Sequence, residues 1–188
     1  MSNRIYNVVD LFAGCGGLSL GFQNAGFSII AAFDNWDEAI NIYKLNFSHP
    51  IIKRDLNDTS DLSDIENLKP DIIIGGPPCQ DYSSAGHRNE DLGRAQLTIK
   101  FAEIITRIRP SFFLMENVPN IQKSEKLDQV LNMFHESGYG ISKMVIDASR
   151  CGVPQKRRRF IVLGGLNEPE GFLDELLYRG QSKKNMTL

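Results

Sequence analysis

Apolar runs with the composition of buried strands alternate with helical stretches along most of this 188-residue chain. The strand-like runs cover residues 5–12, 27–33, 51–52, 72–74, 112–115, 141–146 and 160–163. Between them, apolar residues recur with helical spacing in residues 18–25, 37–47, 96–108 and 127–134. This alternation predicts an α/β fold, in which helices cover both faces of a mostly parallel sheet. The last two strands have no long helix between them, so we expect them to pair antiparallel.

The composition indicates one globular domain without a membrane or secretion signal. Apolar residues make up 41% of the chain and charged residues 23%, and no apolar run is long enough for a membrane helix. Three widely spaced cysteines favour neither a disulfide framework nor a metal cluster, so we expect a reducing cytoplasm. We expect one domain over residues 1–165 and, at 166–188, a tail that loses periodicity and ends without a closing element.

Charge is unevenly distributed, although the formal net charge is only −2. Residues 54–71 are rich in Asp and Glu, whereas residues 156–159 form a basic run, Lys-Arg-Arg-Arg. The net charge therefore gives no general basic field of the kind that marks many nucleic-acid-binding proteins. A basic run taken alone is also typical of a solvated turn.

Residues suited to ligand binding follow one predicted strand after another. They are the glycine-rich segment 14–17 after the first strand, Asp34 after the second, Asp55 after the third, Cys79 after the fourth and Glu116 after the fifth. In an open α/β sheet, ligands bind at the carboxyl ends of the strands. The repeated coincidence predicts one functional cleft at that edge.

The glycine-rich segment and Asp34 together indicate a cofactor that contains adenosine. Glycines let the backbone turn sharply into a helix and approach a ligand closely. Their spacing is not the dinucleotide pattern G-x-G-x-x-G, and a plain structural turn is an alternative. Asp34 can accept hydrogen bonds from ribose hydroxyl groups, or it can cap the helix that begins near Trp36.

Cys79 lies in the hexapeptide Gly-Gly-Pro-Pro-Cys-Gln, directly after the fourth strand. Most free cysteines are small buried hydrophobic residues, but two adjacent prolines favour a thiol that is presented in a cleft. A cysteine nucleophile needs a positive neighbour or a helix terminus in order to ionise. Glu116 is expected to face the same cleft. Alternate residues of an extended segment point to the same side, so Arg157 and Arg159 can share one face.

Four motifs in this order, DLFAGCGG, GGPPCQDYS, MENV and PQKRRRF, resemble those of the DNA cytosine-5 methyltransferases. The resemblance covers the chain from Asp10 to about Gly165 and is highly specific in combination. It implies a Rossmann-like S-adenosylmethionine-dependent methyltransferase fold with a mostly parallel sheet and a terminal antiparallel strand, incomplete at the C-terminal end. It also implies methyl transfer to C5 of cytosine in double-stranded DNA, with base flipping and without a metal.

The resemblance assigns roles to individual residues. The predicted cofactor-binding residues are Phe12, Gly14 and Gly16 around the methionine part, Asp34 on the ribose, Asn35 or Trp36 beside the adenine, Asp55 at the adenine amino group, and Pro78 and Leu97 as further contacts. The predicted catalytic residues are Cys79 as nucleophile, Glu116 as the acid that reads the base, and Arg157 and Arg159 near the cytosine.

Two departures from the family pattern qualify these roles. Tyr82 stands where the family usually has phenylalanine, and nothing after Gly165 resembles the variable target-recognition region or the final Gly-Asn motif. We therefore expect that a continuation or a second polypeptide supplies those parts, in a bacterial or phage cytoplasm. An RNA cytosine-5 methyltransferase and a non-catalytic partner-binding subunit are the alternatives. A dehydrogenase is disfavoured because its glycine spacing is absent.

Overall fold

The structure, a computed structural model, describes residues 5–78 and 96–186. In those residues the chain forms seven strands, six α-helices and two short 3-10 helices, Pro119–Lys123 and Ala148–Arg150. The strands are β1 (Asn7–Leu11), β2 (Ser28–Asp34), β3 (Ile51–Lys53), β4 (Ile72–Gly75), β5 (Phe112–Asn117), β6 (Tyr139–Asp147) and β7 (Arg158–Leu166). The helices are α1 (Gly17–Asn24), α2 (Asp37–Asn46), α3 (Ser63–Glu66), α4 (Gln96–Ile108), α5 (Glu125–Glu136) and α6 (Asp174–Arg179).

All seven strands join one sheet in the order β3-β2-β1-β4-β5-β7-β6. Strands β1 to β5 pair in parallel, whereas β7 is antiparallel to both of its neighbours, β5 and β6. The predicted antiparallel pairing of the last two strands is confirmed. The last strand in the sequence is not an edge strand, however, because it lies between β5 and β6. The chain order reverses between β1 and β4, and such a switch point is where an open α/β sheet forms its ligand crevice.

The central strands are buried on both faces, which is why their sequences are continuously apolar. Val9, Leu11, Ile73 and Met115 have no exposed surface. Helix α4 presents apolar residues at a spacing of three or four and buries that face, and α5 packs beside it. Close packing also requires a glycine in β7, because a Cβ atom at Gly164 would lie 2.0 Å from the Phe113 ring.

The segment after β7 contains one helix that was not predicted. Helix α6 forms at Asp174–Arg179, and residues beyond it hydrogen-bond to the turn after β6: the Ser182 amide donates to the Arg150 carbonyl at 2.8 Å. No residue of α6 is buried, so its sequence carries no apolar periodicity that could have revealed it. The short helix α3 lies in the acidic segment 54–71 and was likewise not predicted.

One opening of the fold lies toward the amino ends of the central strands. It is an apolar cleft of about 330 Å³. It is lined by Tyr6, Phe22, Phe27, Ile72, Phe112, Phe113, Leu114, Leu163, Gly164, Phe172 and Leu173.

Across residues 5–78 and 96–186, none of the helices has the length and apolar character that crossing a membrane requires.

Candidate functional site

A cavity of about 260 Å³ lies at the carboxyl ends of the first four strands. Its lining comprises Phe12, Gly14, Asp34, Asn35, Trp36, Arg54, Asp55, Leu56, Gly76, Pro78 and Leu97. Eight of the nine predicted cofactor-binding residues are therefore brought together around one space. Gly16 is the ninth and does not line it.

The loop between β1 and α1, residues 12–16, forms one wall of the cavity, and we call it the glycine loop. Three of its residues have left-handed backbone angles: φ is 56° at Phe12, 54° at Gly14 and 92° at Gly16. This conformation costs little at glycine but is strained at phenylalanine. The strain at Phe12 coincides with a position that faces the cavity, as is common at ligand-binding sites.

Gly16 contributes close packing between the glycine loop and α2. A Cβ atom at this position would lie 2.2 Å from the Phe47 ring and 2.9 Å from the Tyr43 ring. The loop can approach these aromatic rings only because residue 16 has no side chain. Gly16 thus shapes the cavity wall from behind.

Asp34 holds two walls of the cavity together. Its Oδ2 accepts a hydrogen bond from the Gly14 amide at 2.8 Å, and its Oδ1 accepts one from the Trp36 amide at 2.9 Å. Asp34 fills the alternative role of a helix cap only in part. It bonds to the Trp36 amide, but Trp36 is itself the N-cap residue of α2 and makes no capping hydrogen bond with its side chain. The Trp36 side chain is 61% exposed and offers a ring face at the rim of the cavity.

Arg54, Leu56 and Gly76 line the cavity but were not among the predicted residues. The Arg54 guanidinium pairs with Asp64 at 2.6 Å and also donates to the Asp61 carbonyl, so it braces the acidic segment behind β3. Its Nε is buried and has no acceptor among the described residues. The one indication in the sequence was that Arg54 precedes Asp55 at the end of a strand, but the family motifs do not include this position.

Glu116 and Arg159 form an ion pair on the neighbouring strands β5 and β7. Arg159 Nε lies 2.7 Å from Glu116 Oε1, and each side chain is about three-quarters buried. A Cβ atom at Gly76 would lie 3.4 Å from Glu116 Oε2, so the glycine that lines the cavity also borders this carboxylate. The cavity and the ion pair are therefore adjacent.

The other predicted catalytic residues are placed less completely. Arg157 is exposed and precedes β7. Cys79 lies outside the described residues, directly after Pro78, which lines the cavity. The Pro77 carbonyl accepts a hydrogen bond from the buried Asn117 amide at 3.2 Å, which fixes the strand exit that leads to Cys79.

Asp10 lies beneath the glycine loop and is fully buried in β1. Its Oδ2 accepts a hydrogen bond from the Ser19 hydroxyl at 2.7 Å. Burial raises the pKa of Asp10 from 3.8 to about 7, opposed by the hydrogen bonds from Ser19 and assisted by the negative charge of Asp34. The role of this acid was not predicted.

Comparison with known proteins places this geometry in a family. Residues 6–186 match the C-5 cytosine-specific DNA methylase family. The chain is 55% identical over 181 residues to the Type II methyltransferase M.HindV of Haemophilus influenzae, covering 96% of this chain and 60% of that protein. It is 48% identical to the Type II methyltransferase M.HgiDI of Herpetosiphon aurantiacus, covering 96% of this chain and 59% of that protein.

Solved structures agree with the fold. A DNA modification methyltransferase encoded within an E. coli prophage superposes with a TM-score of 0.77 at 30% identity, covering 97% of this chain and 53% of its own. The S. pombe Dnmt2 methyltransferase shares the fold with a TM-score of 0.79 at 21% identity. The chain spans about 60% of the length of these two curated relatives. With its match running from residue 6 to residue 186, the chain belongs to the family of C-5 cytosine-specific DNA methylases.

Proposed function

We propose that this chain is the cofactor-binding and catalytic part of an enzyme that transfers a methyl group from S-adenosylmethionine to C5 of cytosine in DNA. One observation carries the proposal: Gly76 lines the cavity and also borders Glu116. A methyl donor in the cavity and a base held by Glu116 would therefore be neighbours. The Type II methyltransferase relatives support DNA as the substrate.

The cavity suits S-adenosylmethionine in the chemistry of its lining. Asp34 offers carboxylate oxygens at the end of β2, where a ribose is expected, and Trp36 offers an aromatic face for an adenine ring. Asp55 at the end of β3 can accept from an exocyclic amino group. The glycine loop leaves room for the methionine part, since a Cβ atom at Gly14 would meet no atom within 4 Å.

Within the proposed reaction, S-adenosylmethionine supplies the methyl group that C5 of cytosine receives. The Cys79 thiolate adds to C6, forming a carbon–sulfur bond that makes C5 nucleophilic. C5 takes up the methyl group, which leaves S-adenosylhomocysteine as the second product. C5 then loses its proton to water, the carbon–sulfur bond breaks to return the Cys79 thiolate, and the ring regains aromaticity. With a proton on its carboxyl group, Glu116 donates a hydrogen bond to N3, and its other oxygen accepts one from the exocyclic amino group, which distinguishes cytosine from thymine. Arg159 orients Glu116 through the ion pair, and we assign it a contact with the same base, with Arg157 nearby.

The covalent step is tested with DNA that contains 5-fluorocytosine, which cannot lose a proton from C5. In the presence of S-adenosylmethionine, a polypeptide that joins this chain to the part of M.HindV that it does not span should trap this DNA as a stable adduct. Cys79→Ser should trap none. Cys15→Ser and Cys151→Ser are the matched controls, since both thiols are exposed, and both variants should trap normally. Trapping by Cys79→Ser would show that another group is the nucleophile.

We further propose that the residues which recognise the base sequence of double-stranded DNA lie outside these 188 residues. They belong either to a continuation of the chain or to a second polypeptide. The support is the length of the relatives, of which the chain spans about 60%. A net charge of −2 is also unfavourable for holding a duplex, because phosphate contacts normally come from Lys and Arg.

A further inference from the structure

Four side chains form a hydrogen-bonded chain that runs from beneath the glycine loop to the surface, and we call it the relay. Asp10 Oδ2 lies 2.7 Å from Ser19 Oγ, Ser19 Oγ lies 2.7 Å from Tyr43 Oη, and Tyr43 Oη lies 2.6 Å from His49 Nε2. Asp10, Ser19 and Tyr43 have no exposed surface, whereas His49 is partly exposed. The four residues belong to β1, α1, α2 and the segment that precedes β3.

The relay braces the glycine loop at both of its ends. Asp10 precedes the loop and Ser19 follows it in the first turn of α1, so their hydrogen bond closes the loop at its base. Tyr43 also touches the position where a Cβ atom of Gly16 would stand. A change in these hydrogen bonds would therefore move residues that line or support the cavity.

Burial brings the carboxyl group of Asp10 close to the balance between its neutral and ionised forms near pH 7. Its Oδ1 is buried and has no hydrogen-bond partner in the described residues, which disfavours the ionised form. Its sheet neighbours are the apolar residues Ala32 on β2 and Ile74 on β4. The negative charge of Asp34 adds to the effect of burial in raising the pKa of Asp10. At the far end of the relay, burial lowers the pKa of His49.

The relay has two complete hydrogen-bonding patterns that differ by one proton. When Asp10 is neutral, it donates to Ser19, Ser19 donates to Tyr43, and Tyr43 donates to His49 Nε2. When Asp10 is ionised, His49 Nε2–H donates to Tyr43, Tyr43 donates to Ser19, and Ser19 donates to Asp10. Passing from the first pattern to the second moves one proton onto Nε2 of His49, and the proton on Nδ1 leaves to water. All three hydrogen bonds are kept and each is reversed.

We propose that Asp10, Ser19 and Tyr43 are positioning residues for the glycine loop, and that cofactor binding draws one proton out through His49. The inference rests on the proposed function, because it takes the cavity to be the S-adenosylmethionine site. Asp34 lines that cavity, and its negative charge favours the neutral form of Asp10. A ligand that carries a sulfonium and an ammonium group acts in the opposite sense and favours ionised Asp10.

Calorimetry with S-adenosylmethionine tests the inference. Titrations at about pH 6.5 in phosphate and in imidazole, whose ionisation enthalpies differ, count the protons released on binding. The unaltered chain should release a fraction of one proton, and its affinity should rise several-fold between about pH 6 and pH 7.5. Asp10→Asn, which cannot ionise, should release none, and its affinity should follow only the titration of the ligand itself.

Two buried tyrosines provide a matched pair of variants. Tyr43→Phe removes the central hydroxyl of the relay and should weaken S-adenosylmethionine binding by about five- to tenfold. Tyr139→Phe removes a buried hydroxyl that donates to the Pro110 carbonyl in another part of the sheet, and it should leave binding unchanged. Nuclear magnetic resonance gives a readout without cofactor: the Gly14 and Gly17 amide signals should titrate near pH 7 in the unaltered chain and not in Asp10→Asn.

The outcomes separate the two proposals. If the unaltered chain does not bind S-adenosylmethionine, the proposed function fails and this inference fails with it. If it binds, but Asp10→Asn releases as many protons or Tyr43→Phe matches Tyr139→Phe, the relay has no role in positioning and only this inference is overturned.

Discussion

Asp34 connects the glycine loop to the segment before α2 through two amide hydrogen bonds, to Gly14 and to Trp36. Replacing it with alanine removes both bonds together with a charged acceptor that faces the cavity. We expect Asp34→Ala to weaken S-adenosylmethionine binding by about 1.5–3 kcal/mol, the usual range for hydrogen bonds to a charged group. Calorimetry measures this directly. Asp37→Ala, which breaks only an exposed ion pair with Lys53, is the control and should bind normally. Unchanged affinity in Asp34→Ala would reduce Asp34 to a local turn residue.

Asp10 makes the stability of the fold depend on pH in a defined direction. Its pKa is about 7 in the folded chain against 3.8 for an ordinary aspartate. Between these values the folded state holds a proton that the unfolded state has lost. The free energy of unfolding should therefore fall as pH rises from about 4 to about 7, by on the order of 4 kcal/mol from this group.

Chemical denaturation across that pH range checks the expectation. Asp10→Asn should lose this fall, whereas Asp37→Asn, at an exposed site, should keep it. Parallel stability curves for the unaltered chain and Asp10→Asn would contradict the assignment.

At the scale of elements, the glycine loop is fitted against α2 by Gly16. In Gly16→Ala the new methyl group would meet the Phe47 ring at 2.2 Å, and φ would stay at 92°. Steric overlap and a left-handed alanine together should destabilise the fold by about 2–4 kcal/mol. Gly17→Ala, one residue later, meets no atom within 4 Å, and at the start of α1 it should be neutral or slightly stabilising. Thermal unfolding compares the stability of the two variants. Equal melting temperatures would show that the glycine loop shifts to accommodate the methyl group at residue 16.

The sequence predicted the elements that bury one face or both, and it missed those that bury almost nothing. Strands β1, β4 and β5 and helix α4 are marked by continuous or periodic apolar residues, and each was located to within a few residues. Helix α6 has no buried residue, so hydrophobic periodicity could not reveal it. The place of β7 between β5 and β6 depends on long-range pairing, which a local pattern does not encode.

The candidate site divides in the same way. Motif positions predicted eight residues that line the cavity. Seven of them lie at or just after the carboxyl ends of parallel strands, whereas Leu97 lies in α4. Arg54 was missed because its contribution comes from contacts with Asp64 and Asp61, which are distant in sequence from any motif. The relay was missed for a similar reason, since Ser19 and Tyr43 look like ordinary helix residues until the fold brings them together.

At the scale of the whole molecule, two openings of different character lie at opposite edges of the sheet. The polar cavity and the Glu116–Arg159 pair lie at the carboxyl edge of the sheet, whereas the apolar cleft lies toward the amino ends of β1, β4 and β5. Among the described residues, the predicted cofactor-binding residues that line the cavity and the predicted catalytic pair Glu116 and Arg159 thus lie at the same edge. The cleft of about 330 Å³ is lined mainly by apolar and aromatic side chains.

Methyl transfer should require more than these 188 residues, even though they form the cavity that we propose for the cofactor. The curated relatives are longer, and a chain with a net charge of −2 has little long-range attraction for a duplex. We therefore expect the purified chain to bind S-adenosylmethionine but to transfer no labelled methyl group to mixed genomic DNA. Supplying the part of M.HindV that the chain does not span, joined to it or mixed with it, should restore transfer. Clear turnover by the chain alone would contradict this expectation. DNA contacts would then have to lie within residues 1–188, where the exposed cations Arg150, Lys156 and Arg158 would be the first to replace.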